Sequence, residues 1–163
     1  MAAIIKNGEI VDDRWLRLTT EQIEADGLPA DGPILVPLPV WLAQREALLA
    51  RGEVAVWLAP GEEPEALVED LDRLPLIAID FPVFRDGRGY SYARELRTRF
   101  GYHGELRAIG DVLRDQLFYL SRVGFNAFAV REDRNLEDAL KGLKDFSVTY
   151  QGDTQDPRPI YRR

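Results

Sequence analysis

Immediately after Asp80, the stretch "FPVFRDGRGYSYAR" (residues 81–94) crowds Arg85, Asp86, Arg88, Tyr90 and Ser91 around Gly87 and Gly89. Arginine forks match carboxylates, phosphates and sulfur oxyanions, and a carboxylate beside them is a group that can move protons. Two later stretches repeat the pairing: "IGDVLRD" holds Gly110, Asp111 and Arg114, and "REDRN" holds Arg131 and Glu132. These residue types allow a small anion to be clamped by Arg88 and Arg114, with Asp80 or Asp111 as the candidate acid or base. The predicted ligand-binding set is Arg85, Asp86, Gly87, Arg88, Gly89, Tyr90, Ser91, Gly110, Arg114 and Glu132. A purely structural reading stands beside it: Asp86-Gly87 as a turn, Asp111 as a helix cap paired with Arg114, and the aromatics as loop packing. Length favours function for the loop as a whole, because ordinary connections run about 2–6 residues and this one runs to about nine.

For these groups to meet, the segments carrying them must leave strands at one edge of a sheet. Short apolar runs recur at "ILVPL" (34–38), "EVAVWLA" (53–59), "LIAIDF" (76–81), "LRAIG" (106–110) and "FNAFAV" (125–130), each separated by room for a helix. In the intervals, Trp41, Arg45 and Leu48 share one helical face, as do Leu67, Leu71 and Leu74; Tyr92, Leu96 and Phe100; and Leu113, Leu117 and Leu120. Strand–helix–strand order implies a mostly parallel sheet, since parallel neighbours need a long crossover. The expected fold is a single α/β domain with five or six such strands and helices on its faces. An open sheet is preferred to a partial β/α barrel. Asn7-Gly8 between apolar runs predicts an N-terminal β-hairpin. Residues 19–32 then read as a polar connector, 33–150 as the α/β domain and 151–163 as an extended tail, with "SVTYQ" as a last strand. Loops at the carboxyl ends of parallel strands are where ligands usually bind, and Pro82, Ser91 as a helix cap and the two glycines would give this loop a fixed shape.

Composition narrows the function classes. The chain has 163 residues, one histidine, no cysteine and a net charge of −7. Without cysteine there is no thiolate nucleophile, disulfide or cysteine-held cluster, and a lone histidine, His103, reads as a turn residue. No metal ligand set is predicted: Asp80, Asp86, Asp111 and Glu132 supply carboxylates whose gathering the spacing does not establish. The acidic balance argues against nucleic acid as a partner, and no apolar run is long enough to span a membrane. The start of the chain lacks the pattern of a secretion signal, so the expected compartment is the cytoplasm. Residues 1–81 carry six basic and 16 acidic side chains, whereas residues 82–122 carry eight arginines against five acids. That segment suits an anionic ligand or an acidic partner. Dinucleotide, phosphate-loop and nucleophile-elbow motifs are absent.

The segments "DFPVFRDGRGYSYAR", "GELRAIGDVLRDQ" and "GFNAF" resemble the signature of a proteobacterial family of unknown function commonly described as an oxidoreductase of sulfite reduction. The resemblance covers most of residues 33–150. It implies a setting beside assimilatory sulfite reductase, in the making of sulfide for cysteine synthesis, and supplies no catalytic residues to carry over. An oxidoreductase would need a bound redox group, and none is evident in the sequence; flavin at the switch point of an open sheet is the candidate. The expectation is a non-catalytic accessory protein that docks to sulfite reductase or its electron donor. The alternative is a small enzyme, or a flavin-dependent reductase, acting on an anionic sulfur or phosphate metabolite.

Overall fold

The computed structural model describes residues 3–82, 88–130 and 136–145. Strands β1 (Ala3–Lys6) and β2 (Glu9–Asp12) form the expected hairpin, and both turn residues take positive φ, 51° at Asn7 and 79° at Gly8. A two-residue strand, β3 (Leu16–Arg17), follows. Inside the expected connector lies a helix, α1 (Thr20–Asp26). The Thr19 side chain accepts from the Gln22 N–H and the Gln22 side chain accepts from the Thr19 N–H, so each end of the box satisfies the other.

The alternating part runs β4 (Ile34–Pro37), α2 (Leu38–Arg51), β5 (Val54–Leu58), a 3₁₀ helix (Pro64–Arg73), β6 (Leu76–Phe81), α3 (Arg88–Arg94) continued by a π turn (Glu95–Arg99), and β7 (Glu105–Gly110). A 3₁₀ turn (Arg114–Gln116), α4 (Leu117–Val123), β8 (Ala127–Phe128) and α5 (Leu136–Asp145) complete it. "SVTYQ" and the tail at 151–163 lie outside the described residues. The 3₁₀ helix departs from the α-helical stripe expected of Leu67, Leu71 and Leu74. At three residues per turn, positions three apart eclipse one another, so Pro64, Leu67 and Asp70 form the buried row.

Among the described residues the sheet has eight strands in the order β2-β1-β8-β7-β6-β5-β4-β3, more than the five or six expected, because the hairpin pairs into it through β1 and β3 adds an edge. From β3 to β8 every neighbour is parallel and consecutive in sequence; β1 and β2 are antiparallel. Because that order never reverses, right-handed crossovers put every helix on one face, and the sheet has no switch point. The packing agrees: Val36, Val56, Ile77, Ile79 and Leu106 meet Trp41, Leu48, Leu67, Leu96 and Leu120 from the helical elements. No helix residue belongs to the cluster on the other face, where Leu35, Ala55, Leu76, Ala78 and Ile109 pack with Trp15 and Trp57. The expectation of helices on both faces is therefore corrected to helices on one.

Two observations show how strongly the sheet curls. The edge strands β2 and β3 are neighbours in sequence, and residues 13–15 alone connect them. Asp12 and Leu16 can then be at most about 14 Å apart, whereas eight flat strands would span roughly 34 Å. The face without helices is also buried, with Ala55 and Ala78 both at 0% exposure. It is the inside of an open, barrel-like curl, closed by the strap Asp13–Trp15. Among the described residues no helix is long and apolar enough to cross a membrane.

Candidate functional site

Curling places the carboxyl ends of β3 to β8 on one rim, the position at which barrel-like α/β folds hold their ligands. On the inner side of this rim Asp80 leaves β6. Its Oδ2 lies 3.3 Å from Nη2 of Arg17, which reaches over from the edge strand β3. The Arg17 guanidinium sits 4.1 Å from the centre of the Trp57 ring, a cation–π stack. The ring is itself fixed, because its Nε1–H donates to the Leu18 carbonyl at 2.9 Å. Gly110 forms the floor under Asp80: a Cβ there would lie 2.4 Å from Asp80 Oδ1, and the residue takes φ +91°. Only glycine fits both demands. The Asp111 N–H donates to the Phe81 carbonyl at 2.6 Å, which holds Asp111 on the same rim. The helical turn beyond it begins at Arg114.

The pairing of β6 with β7 thus brings together Gly110 of the predicted ligand-binding set and the acid/base candidates Asp80 and Asp111. Arg88 extends instead toward the loop after β5, where a Cβ on Gly61 would meet its Nη1 at 3.5 Å. Gly89 and Tyr90 lie on the helix side: the Tyr90 ring packs at a tilt against Phe81 with ring centroids 5.5 Å apart and edge-to-face against Tyr119 at 6.0 Å. Ser91 lies inside α3, which has already begun at Arg88, so it does not cap the helix as expected. Arg85, Asp86, Gly87, Arg131 and Glu132 lie outside the described residues, as does the side chain of Arg114.

Arg17 and Trp57 are the residues that sequence reading missed. The signal for Arg17 was the alternation in "WLRL", which puts Trp15 and Arg17 on one side and Leu16 and Leu18 on the other. Further down the curl, Arg107 is 3% exposed and pairs with Glu105 at 2.8 Å and Asp13 at 2.7 Å, while Lys6 reaches Glu105 at 3.0 Å. Two arginines of the basic segment are therefore internal. Arg107 is spent inside the sheet, and Arg97 donates to the carbonyls of Gly124, Tyr102 and Gly104. At the opposite rim, a cleft of about 440 Å³ is lined by Leu71, Asp72, Leu74, Phe100 and His103, so His103 sits away from the site.

The family model described as bacterial protein of unknown function (DUF934) matches residues 55–161. The chain belongs to that family. No curated protein matches it. Trp57, Asp80, Arg107 and Gly110 of this DUF934 chain fall inside the matched region, whereas Asp13 and Arg17 belong to the preceding β2–β3 segment.

Two predictions follow from the geometry of β6 and its neighbours. Gly89 is buried, and a Cβ on it would lie 2.4 Å from both Cε1 and Cζ of Phe81. The Phe81 ring is clasped by Tyr90 and Phe125 and cannot swing aside. Gly89→Ala would gain about 1 kcal/mol of helix propensity but force overpacking of about 1–3 kcal/mol. Net destabilisation is expected in chemical denaturation, and a variant more stable than wild type would remove the close packing from the account.

The second concerns Asp80, whose carboxyl is held above its ordinary range by desolvation, against the pull of Arg17. A raised value means the folded chain holds this proton more tightly than the unfolded chain. The linked stability is complete below the unfolded pKa of about 3.9 and is lost as pH rises through the folded value. Asp80→Asn cannot titrate, so the difference in Tm between variant and wild type should grow in the variant's favour across that window. A constant difference would show that Asp80 is not desolvated.

Proposed function

We propose that this DUF934 protein is a non-catalytic accessory protein of assimilatory sulfite reduction that docks an acidic partner, the reductase or its electron donor, on the α3–α4 face. The observation that carries this is the aromatic ladder Phe81–Tyr90–Tyr119. It starts in the core and ends in a Tyr119 that is 62% exposed. A rigid aromatic presented to solvent among arginines is the composition of an interface hot spot. Arg122 lies 5.8 Å from the Phe118 ring on the same helix, and α3 carries Arg94. Those arginines would steer a partner of opposite charge.

The sulfur setting comes from the resemblance of the β6–β8 segments, and the non-catalytic reading is supported by the Arg107, Glu105, Asp13 and Lys6 side chains that fill the curl below the rim by pairing with one another. The test is growth. A deletion strain should need cysteine on sulfate medium and be rescued by the wild-type gene, while Tyr119→Ala, folded by circular dichroism, should fail to rescue and should not bind purified reductase or donor. Growth of the deletion strain on sulfate would overturn the sulfur setting. Full rescue by Tyr119→Ala would overturn the docking face.

A further inference from the structure

We propose that Arg17, Trp57 and Asp80 form a binding site for a small oxyanion that still carries an O–H, the class of hydrogen phosphate and hydrogen sulfite. The site goes beyond the docking reading and stands without it, since none of its residues lies on the α3–α4 face. Three strands supply it, and the curl brings them together on the rim where such folds bind ligands.

Arg17 spends little of its fork. Among the described residues it makes one ion pair, at 3.3 Å to a single oxygen of Asp80, and its buried Nε–H finds no acceptor. Its guanidinium lies over the Trp57 ring, and the planar arginine fork is the group that matches arrays of anionic oxygens. Access comes from the rim, because the Arg17 side chain is 35% exposed and Asp80 13%. Strand β3 is two residues long and has a partner on one side only, so Arg17 can move apart from Asp80 to admit a ligand.

Asp80 decides which anion fits. A fully ionised oxyanion on Arg17 would face the carboxylate and be repelled. One that keeps an acidic O–H instead donates it to Asp80 while its charged oxygens accept from Arg17. Desolvation favours this use, since a carboxylate taken out of water binds protons, and hydrogen-bond donors, more firmly. Gly110 leaves the space that Asp80 Oδ1 occupies, space that a Cβ on any other residue would take.

The test is calorimetric titration of the whole chain at pH 7 with inorganic phosphate, sulfite and sulfate at matched ionic strength. Saturable binding of phosphate or sulfite is expected, with sulfate at least tenfold weaker; the tighter of the first two assigns phosphorus or sulfur as the ligand's centre. Arg17→Gln should weaken binding tenfold or more. Arg17→Lys, which keeps the charge and loses the fork, serves if the first variant does not fold, and is expected to show a loss of similar size. Asp80→Asn offers an amide donor in place of the carboxylate and should let sulfate bind as well as phosphate. The proposal is overturned by no saturable binding of phosphate or sulfite, by sulfate binding as tightly as both, or by unchanged affinity in the Arg17 variants.

Discussion

Arg107→Ala is expected to destabilise the fold by about 3–5 kcal/mol, against a total of roughly 5–15 kcal/mol for an ordinary domain. The guanidinium is 3% exposed and answers two carboxylates, Glu105 on its own strand and Asp13 on the strap between the sheet edges. Asp13 Oδ1 also accepts from the Trp15 N–H, so one oxygen ties the strap to β7 and fixes the residue that covers the inner cluster. Removing Arg107 leaves Glu105, itself 8% exposed, with only Lys6, and leaves Asp13 with no cation holding it to β7. The penalty is that of stranded buried charge, not the loss of a favourable pair. Removing all three charges in Arg107→Met, Glu105→Leu, Asp13→Asn should therefore recover most of the stability. Denaturant midpoints of the single and triple variants check this. An Arg107→Ala protein within about 0.5 kcal/mol of wild type, the range of ordinary surface changes, would mean that the strap is held by apolar contact alone.

Most strand positions were legible because each of β4 to β7 is a short apolar run between helical stripes, and hydrophobic periodicity is a local property. The curl was not legible. It depends on consecutive parallel order, which no local pattern encodes, and on a three-residue strap whose sequence, "DRW", reads as an extension of the hairpin. The candidate site divided the same way. Asp80, Gly110 and Asp111 were found because they leave neighbouring strands, β6 and β7, and adjacent ends stay adjacent however the sheet bends. Arg17 lies three strands from Asp80 in the sheet order and 63 positions away in sequence, so only the closed curl brings it to the carboxylate. Arginine content misled in the opposite direction: Arg97 and Arg107 add to the basic segment but are spent on internal carbonyls and carboxylates. Charge counts see composition, and burial decides which charges a partner meets.

The second large effect is expected at Trp41, on the helix side of the sheet. Its side chain is fully buried, and its Nε1–H donates at 3.1 Å to Oδ2 of Asp70, the one acid in the buried row of the 3₁₀ helix. Arg45, one turn along α2, pairs with the other oxygen of Asp70, which explains an arginine on a face otherwise given to Trp41 and Leu48. Trp41→Ala removes a large buried ring and should cost about 3–5 kcal/mol. Asp70→Ala leaves the indole donor unsatisfied in the core, a loss of about 1–3 kcal/mol, while Arg45, 32% exposed, can turn to water. Trp41→Phe keeps most of the volume and loses only the donor, and Asp70 retains Arg45, so it should be the mildest of the three. The order follows from which group is left without a partner and how far it sits from solvent. Thermal unfolding of the three variants reads it directly, and Trp41→Phe as damaging as Trp41→Ala would transfer the effect from the ring's volume to its hydrogen bond with Asp70.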